Sequence, residues 1–458
     1  MENRSRIQIT LPSDVTCIIN KLQEAGYEAY AVGGCVRDSV LGRIPKDWDI
    51  TTSAKPEEVK KLFRRTIDTG IQHGTVTVMF GKEGYEVTTY RIDGSYEDSR
   101  HPKEVSFTND LKEDLRRRDF TINAMAYNDE AGIIDVFDGI SCIDTKTIKA
   151  VGNAKGRLTE DALRIMRAVR FSAELDYEID EETKSAIEEL ACNLVNISAE
   201  RIYTELNKLL ISNHPEKIRD AYKLGVTKVI MPEFDKMMNT EQNTKHHCYN
   251  VGEHTIHALM YSVENYKEIS KEDLRVLRWA LFLHDVGKPD SKIIDEKTGA
   301  DHFYGHPEKG EVIAKDIMRR LKFDNDTISK VCNLVKYHDY RPNLTISSVR
   351  KAIVKIGIEN MPLLFLVKRA DLYAQSTYNR EEKLKEAADF EALYKEILAN
   401  KDCLTIKDLE INGSDLMNLG IKKGPHIGEV LKALFEHVLD YPEDNKKEIL
   451  LEKAGKLI

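Results

Sequence analysis

The segment VGGCVRDSVLGRIPKDWDITT, residues 32–52, constrains this chain more than any other stretch. An apolar run, AYAV, ends in Gly33 and Gly34, a short helical stretch follows, and a second extended run, DWDITT, carries two carboxylates around one tryptophan. Alternate side chains of a strand share a face, which predicts Asp47 and Asp49 on one side and Trp48 and Ile50 turned into the core. Two carboxylates so close repel each other unless a cation lies between them, and hard oxygen ligands suit Mg²⁺. The glycines let backbone approach a ligand, and the start of the following helix offers free N–H groups to anionic oxygens. Arg37, one turn in, is placed to reach a triphosphate. Glu86, on the extended run YEVTTYR, is the candidate third carboxylate. The combination describes a site for a metal–nucleotide complex.

At 458 residues the chain exceeds one ordinary core and predicts several domains. No apolar run approaches the ~20 residues that cross a bilayer, and MENRSRIQITLPSDV lacks the apolar core of a secretory signal. Seven cysteines without a C-x-x-C pair argue against a disulfide framework or zinc knuckle, and for a reducing, cytoplasmic setting without membrane attachment. The net charge of −9 does not itself suggest a nucleic-acid partner. Local basic clusters nevertheless exist at KKLFRR (60–65), at LRRRDF (115–120), and at Arg157, Arg164, Arg167 and Arg170.

The pattern predicts an α+β protein. Residues 1–150 form a head with a small mixed sheet and helices, in which TVTVMF and YEVTTYR flank GKEG as a hairpin. Residues 151–225 read as an all-α neck, with Ser198 at a helix start. Residues 226–400 form a helical body, almost wholly helical, that holds eight of the thirteen histidines. Residues 401–458 form a small helical tail, where the glycines of LGIKKGPHIGEV predict a tight turn between helices.

Four stretches, GGCVRDSVLGRIPKDWD, EVTTYRIDGSYEDSRHP, EDLRRRDFTINAMAY and TEDALRIMRAVRF, occur in the order found in class II tRNA nucleotidyltransferases, the bacterial CCA-adding enzymes and their poly(A) polymerase relatives. The chain resembles that family strongly over about its first 225 residues and more loosely over its last 55. The resemblance implies template-independent addition of CCA to tRNA from CTP and ATP, with Asp47, Asp49 and Glu86 catalytic and Mg²⁺ at that site. Gly33, Gly34, Arg37, Arg118, Asp119, Asp161, Arg164, Arg167 and Arg170 become the nucleotide-binding residues, with Asp161 and Arg164 reading the base. Asp119 is assigned to the ribose hydroxyl, and Arg167 and Arg170 to phosphates or to helix stability. The chemistry is sound on its own terms. Cytosine and adenine share an exocyclic amine beside a ring-nitrogen acceptor, which one carboxylate and one guanidinium can match, whereas uracil and guanine present a carbonyl to the carboxylate. Residues 161, 164, 167 and 170, spaced by three, are expected along one ridge of a helix. RIDGSYEDSRHPKEVSF, 91–107, matches the mobile loop that the family needs for terminal A addition. The resemblance also places the acceptor stem and elbow of tRNA on the chain, the elbow on the tail near Lys422, Lys423, Gly424 and Gly428.

In the middle, ALFLHDVGKPD ends an apolar run with His284–Asp285, a polar pair that needs a partner or a metal to offset desolvation. With His254 before it and Asp371 after it, the order H…HD…D resembles the HD phosphohydrolase superfamily, and His306 and His338 fall where two-metal members carry further ligands. Imidazoles and carboxylates of this kind suit Mn, Fe, Co or Ni. The resemblance implies hydrolysis of 2′,3′-cyclic phosphate ends and related phosphomonoesters. His302, His257 and His246 read as ordinary surface or core histidines, and His247 stays open. Two alternatives stand beside this reading: an enzyme of the same family restricted to A addition or poly(A) synthesis, and an HD hydrolase whose head merely clamps RNA.

Overall fold

β-branched and aromatic runs separated by glycine turns build the head, and the computed structural model, which describes residues 7–94 and 105–457, resolves them into nine strands. In chain order these are β1 (Ala29–Val32), β2 (Ile50–Thr52), β3 (Thr66–Gly70), β4 (Thr75–Phe80), β5 (Glu83–Thr89), β6 (Arg91–Asp93), β7 (Val105–Phe107), β8 (Met125–Asn128) and β9 (Gly132–Asp135). Seven of them form one sheet in the order β3-β4-β5-β2-β1-β8-β9. β2 runs antiparallel to β1 and parallel to β5, so the sheet is mixed. β4 and β5 form the hairpin predicted around GKEG, with Phe80 opposite Glu83. The helix Ser13–Glu24 buries Val15, Ile18, Ile19 and Leu22, the i, i+3, i+4, i+7 stripe of an amphipathic helix. β6 and β7 pair as a separate ribbon at the two ends of the 91–107 loop, whose residues 95–104 lie outside the described residues.

The neck is not all-α. β10 (Thr147–Ile148) and β11 (Glu178–Ile179) pair in parallel and stitch it to the end of the head. Its helices Leu163–Leu175 and Ala199–Leu210 pack together, and Met1–Pro232 forms one compact unit.

Glu233–Ile458 forms the second unit. Its helices Val251–Asn265, Lys271–Leu283, His306–Arg320, Asn325–Tyr337, Met361–Ala374 and Arg380–Ala399 surround a core in which Trp279, Phe282 and Phe234 are buried. One short hairpin, β12 (Ile293–Ile294) with β13 (Asp301–His302), interrupts the helices. The tail helices Gly413–Asn418 and Pro425–Asp440 flank the expected glycine turn and close over Leu416, Leu434, Val438 and Leu450. Arg350 ties body to tail through Asp402, at 2.5 Å. No helix among the described residues is long and apolar enough to cross a membrane.

Candidate functional site

Strand register decides where the head carboxylates go. Ile50 pairs with Ala31 on one side and Val87 on the other, so Asp49 falls beside Val32 and Glu86, and its carbonyl accepts from the Val32 N–H at 3.0 Å. Neighbouring residues in paired strands share a face, so Asp49 and Glu86 point the same way, with Asp47 two residues back. All three are exposed. Desolvation by the surrounding protein raises the Asp49 carboxyl above the usual range, Arg118 opposes this, and Asp47 adds to it. Desolvation also raises Glu86, and Asp49 and then Asp47 reinforce it. The three acids therefore share one field. Trp48 departs from expectation: the ladder begins at Ile50, so Ile50 is buried while Trp48, ahead of it, is only half-buried.

Gly33 adopts φ 85°, and a Cβ there would stand 2.9 Å from Arg118 Nη1. Glycine thus lets the Arg118 guanidinium lie against the turn, close to Asp49. From below, Asp114 sits fully buried, accepting from Thr51 Oγ1 at 3.0 Å and Arg117 Nε at 2.9 Å, with Arg118 at 3.7 Å. The Arg37 guanidinium, 3.8 Å from where a Cβ on Gly34 would stand, is already engaged. Its Nη1 donates to Asn123 Oδ1 at 2.7 Å, its Nε to Asp38 at 2.9 Å, and its guanidinium lies 5.2 Å from the Phe171 ring centre. Asp119 is likewise engaged: Arg167 donates to Oδ2 through Nε at 2.7 Å, and Oδ1 accepts from the Phe120 N–H and Asn123. Burial pushes the Asp119 carboxyl up, but Arg167 and these hydrogen bonds hold it well below the ordinary range. Arg170 lies 3.8 Å over Phe171 and pairs with Glu205 at 2.5 Å and Glu174 at 2.7 Å, which places it in the neck's framework.

The expected ridge from Asp161 to Arg170 is broken at its first member. One helix ends at Glu160, Asp161 is extended, and the next begins at Leu163. A short polar side chain competes with helix propagation: Asp161 Oδ1 accepts from the Leu163 N–H at 3.0 Å, and Oδ2 takes Arg201 at 2.8 Å. Arg164 turns back to Glu160 at 2.5 Å and to the carbonyls of Arg157 and Arg117.

In the second unit His254, His284, Asp285, His306, His338 and Asp371 converge. Among the described residues, the groups of three or more ligating side chains within 4.8 Å are His254–His284–Asp285 and Asp285–His306–His338; the head carboxylates make no such group. The Nε2 atoms of His254 and His284 stand 3.2 Å apart, and those of His306 and His338 3.3 Å apart. His284, His306 and His338 each place Nδ1 2.7–2.8 Å from a carbonyl, of Leu281, Phe303 and Val335. Those carbonyls accept from N–H at Nδ1, which in the neutral rings leaves Nε2 of His284, His306 and His338 a lone pair, so that the lone pairs of His306 and His338 face each other; His254 Nδ1 has no such partner among the described residues. Asp285 lies between the pairs, Oδ2 3.3–3.4 Å from the first and Oδ1 3.5–3.6 Å from the second. Asp371 Oδ1 reaches His254 Nε2 at 2.9 Å. Facing lone pairs and a carboxylate shared between them fit a divalent cation on each side of Asp285. His247 packs edge-on to His254, at 5.3 Å between ring centres, outside both groups. His257 stacks on Tyr249 and His302 on Tyr304.

Several site residues escape a reading by motif. Lys288 stands 2.7 Å from Asp285, and Gln375 donates to Asp371 at 3.1 Å. Lys288 follows Asp285 by one helical turn in HDVGK, a signal present in the sequence. Gln375, Asn123, Asp114 and Arg201 carry none.

The poly A polymerase head domain family matches residues 29–149, the family described as "Probable RNA and SrmB- binding site of polymerase A" matches 176–238, and a tRNA nucleotidyltransferase domain 2 family matches 308–454. The CCA-adding enzyme of Leuconostoc mesenteroides is 34% identical over 432 residues, covering 92% of this chain and 90% of that one. The chain belongs to the CCA-adding enzyme family. The Enterococcus faecalis member is 33% identical over 440 residues, covering 96% of this chain and 94% of its own. Among solved members, the Bacillus stearothermophilus CCA-adding enzyme in complex with CTP aligns at TM-score 0.70 and 28% identity, covering 96% of both chains. The Thermotoga maritima CCA-adding enzyme complexed with tRNA, at TM-score 0.60 and 22% identity, shares the fold.

Proposed function

We propose that this chain completes tRNA 3′ ends by adding C, C and A from CTP and ATP, at the face of β2 and β5 where Asp49 and Glu86 stand side by side. The register that sets Asp49, one residue ahead of β2, beside Glu86 on β5, with Asp47 in the same field, is the observation that carries the reading. Asp47, Asp49 and Glu86 would hold Mg²⁺, which when bound lowers the pKa of the attacking hydroxyl and neutralises charge on the phosphates. The acids face the tRNA 3′ end and the α-phosphate, whose like charge they would meet only through the ion they hold. The 3′-oxygen bonds to the α-phosphorus, its proton is lost, and pyrophosphate leaves. Arg118, held against Gly33, supplies fixed positive charge beside Asp49. Asp161 and Arg164 stand at the break between two neck helices and serve as the base-reading pair. In that role they exchange the Arg201 and Glu160 partners for the amine and ring nitrogen of C or A. Lys422 and Lys423, exposed on the tail, contact tRNA phosphates. Incubation with tRNAs lacking one, two or three terminal nucleotides, with CTP and ATP given singly, tests this. Stepwise growth to CCA is expected, and extension by A alone would select the restricted enzymes of the family.

The facing imidazoles support a second activity, metal-dependent phosphoester hydrolysis in the body. His254, His284, Asp285 and Asp371 would hold one cation, and Asp285, His306 and His338 another. Bound there, such cations supply a hydroxide at neutral pH and neutralise phosphate oxygens. Water oxygen joins phosphorus, one P–O bond to ribose breaks, and that oxygen leaves with a proton. Lys288 balances the buried Asp285 charge. Hydrolysis of a 2′,3′-cyclic nucleotide in the presence of Mn²⁺, Co²⁺ or Ni²⁺ tests it.

A further inference from the structure

A groove of about 510 Å³ lies along the helix Val251–Asn265, beyond the point where His254 enters the histidine cluster. His257 and Tyr261 of that helix line it, and of all its residues only Gln375 also borders the cavity onto which the cluster opens. The wall is mixed: four aromatic rings, the guanidinium of Arg380, the carboxylate of Glu264 and smaller groups. The rings form two stacks. Tyr249 lies on His257 with ring centres 4.1 Å apart and planes within 19°, and Tyr373 lies on Tyr261 at 4.4 Å and 12°. His257 and Tyr261 are four residues apart on one helix, so the stacks succeed each other by one helical turn, roughly 5–6 Å. In each stack the tyrosine that does not belong to this helix is exposed, 38% for Tyr249 and 41% for Tyr373. Two rings thus leave surface to solvent at a repeat that suits successive bases of an extended strand.

Arg380 supplies the charge. It is half-buried at the start of the helix Arg380–Ala399. Its Nη2 donates to the carbonyls of Gln375 at 2.5 Å and Tyr373 at 3.4 Å, and its guanidinium stands 5.8 Å from the Tyr373 ring centre. Its Nε is buried without a hydrogen-bond partner, and among the described residues the side chain has no ion-pair partner. Carbonyls orient the guanidinium without neutralising it. A cation held in place with a donor to spare, beside an exposed ring, suits a phosphate oxygen. Glu264, exposed, accepts hydrogen bonds only and matches a base amine rather than a phosphate.

We propose that this groove binds single-stranded RNA, with two successive bases on Tyr249 and Tyr373 and the phosphate between them on Arg380. The site goes beyond both proposed reactions and rests on neither. Stacking accepts any base, because every base has a π-face, so the groove reads strandedness more than sequence. A duplex, whose bases already stack on one another, cannot use the rings. A mononucleotide would leave one stack unused, which makes an unpaired stretch of an RNA chain the occupant that fits.

A short single-stranded oligoribonucleotide carrying 4-thiouridine, photo-crosslinked to the full-length protein, is expected to label peptides within residues 248–264 or 373–380. The strand concentration that half-saturates this labelling reports the groove alone. It should rise at least about fivefold in Tyr249→Ala and in Tyr373→Ala, and stay near the wild-type value in Tyr249→Phe, which keeps the ring. Tyr249 is exposed and outside the helices, so its truncation carries the test should Tyr373→Ala disturb packing. Arg380→Met should flatten the fall of log affinity with log salt by about 0.7, the share of one phosphate contact on a single strand. Unlabelled single strand should compete for the labelling, and the same sequence as a duplex should compete at least about tenfold less well. Labelling confined to other peptides, an unchanged half-saturation in both alanine variants, or equal competition by strand and duplex overturns the proposal.

Discussion

The acidic face of the head and the histidine cluster of the body are both collections of metal-type ligands, yet they are built in opposite ways. Asp47, Asp49 and Glu86 are exposed, and their oxygens do not gather as the histidine cluster's do. His254, His284 and Asp285 are almost fully buried, and the His284 ring is oriented by the Leu281 carbonyl. On the proposed reading, a cation and a triphosphate draw these three exposed like charges together, which makes the head a site assembled by substrate. On the same reading, the His306 and His338 Nε2 lone pairs that face each other at 3.3 Å in the body are costly without a cation, which makes it a site assembled by folding.

The sharpest way to break this contrast is to remove one carboxylate from each. Asp49→Asn should lower nucleotide incorporation into truncated tRNA by at least about 10²-fold, and Asp285→Asn should do the same to cyclic-ester hydrolysis, each leaving the other activity standing. Paired steady-state assays on the two variants check it. If one substitution silenced both activities, the two sites would not be independent.

Metal retention sharpens the comparison next. Because the body's ligands are preassembled, protein purified without added metal should carry transition metal, about two ions per chain if both sides of Asp285 fill, whereas Mg²⁺ should wash out of the head. Elemental analysis measures this, with His338→Ala expected to lose the ion on its side. Stripping the metal should lower the melting temperature of the second unit by roughly 5–10 °C, since a ligand bound far above its dissociation constant stabilises by a few kcal/mol. An unchanged melting temperature and metal-free protein would undo the preassembly argument.

A third test concerns how the neck stiffens the head site. Arg167 and Asp119 form a largely buried pair, and removing one partner leaves the other charge without compensation. Arg167→Met should destabilise the first unit by about 2–3 kcal/mol at neutral pH, less than a fully buried pair because Arg167 keeps some solvent. Asp119 titrates below its unfolded value, so its contribution is present above that value, near pH 4, and is lost as pH falls toward the lower folded one. The variant should therefore acid-unfold at higher pH than the wild type, and the gap between them should close in strong acid. Circular dichroism across pH 2–7 reads both effects.

What the sequence made legible divides along the same line. The DWD run, the GKEG hairpin and the H…HD…D order are local signals: the hairpin forms as read and the histidines and aspartates come together, while the DWD run lies ahead of the strand that begins at Ile50. Positions that depend on tertiary pairing were not readable. Arg37 is an arginine one turn after a glycine turn, yet Asn123, more than eighty residues away, claims its guanidinium. Asp161 reads as the first residue of an arginine-rich helix, but it lies at the break before that helix, where its carboxylate accepts from the Leu163 N–H. The two-residue pairing of β10 with β11 is too brief to leave a periodic trace. Gln375 belongs to no motif, and only its hydrogen bonds to Asp371 give it meaning.

The finest test lies at Gly33, where the assembled and preassembled designs meet in one residue. The head can leave its carboxylates loose only if something beside them is rigid, and Arg118 against a bare backbone is that element. Gly33 combines φ 85° with ψ −131°, a region that side-chain-bearing residues avoid, and a Cβ would press on Arg118 Nη1 at 2.9 Å. Gly33→Ala should therefore cost about 1–3 kcal/mol of stability from the backbone alone. It should also raise KM for CTP and ATP, because Arg118 must move away from Asp49. Gly34 offers the control: its φ is not positive, and a Cβ there meets only Arg37 Nη2 at 3.8 Å, so Gly34→Ala should leave stability within about 0.5 kcal/mol. Equal effects at the two glycines, by denaturant melts and nucleotide titration, would mean that the turn tolerates side chains generally and that Arg118 is not the rigid element of the head.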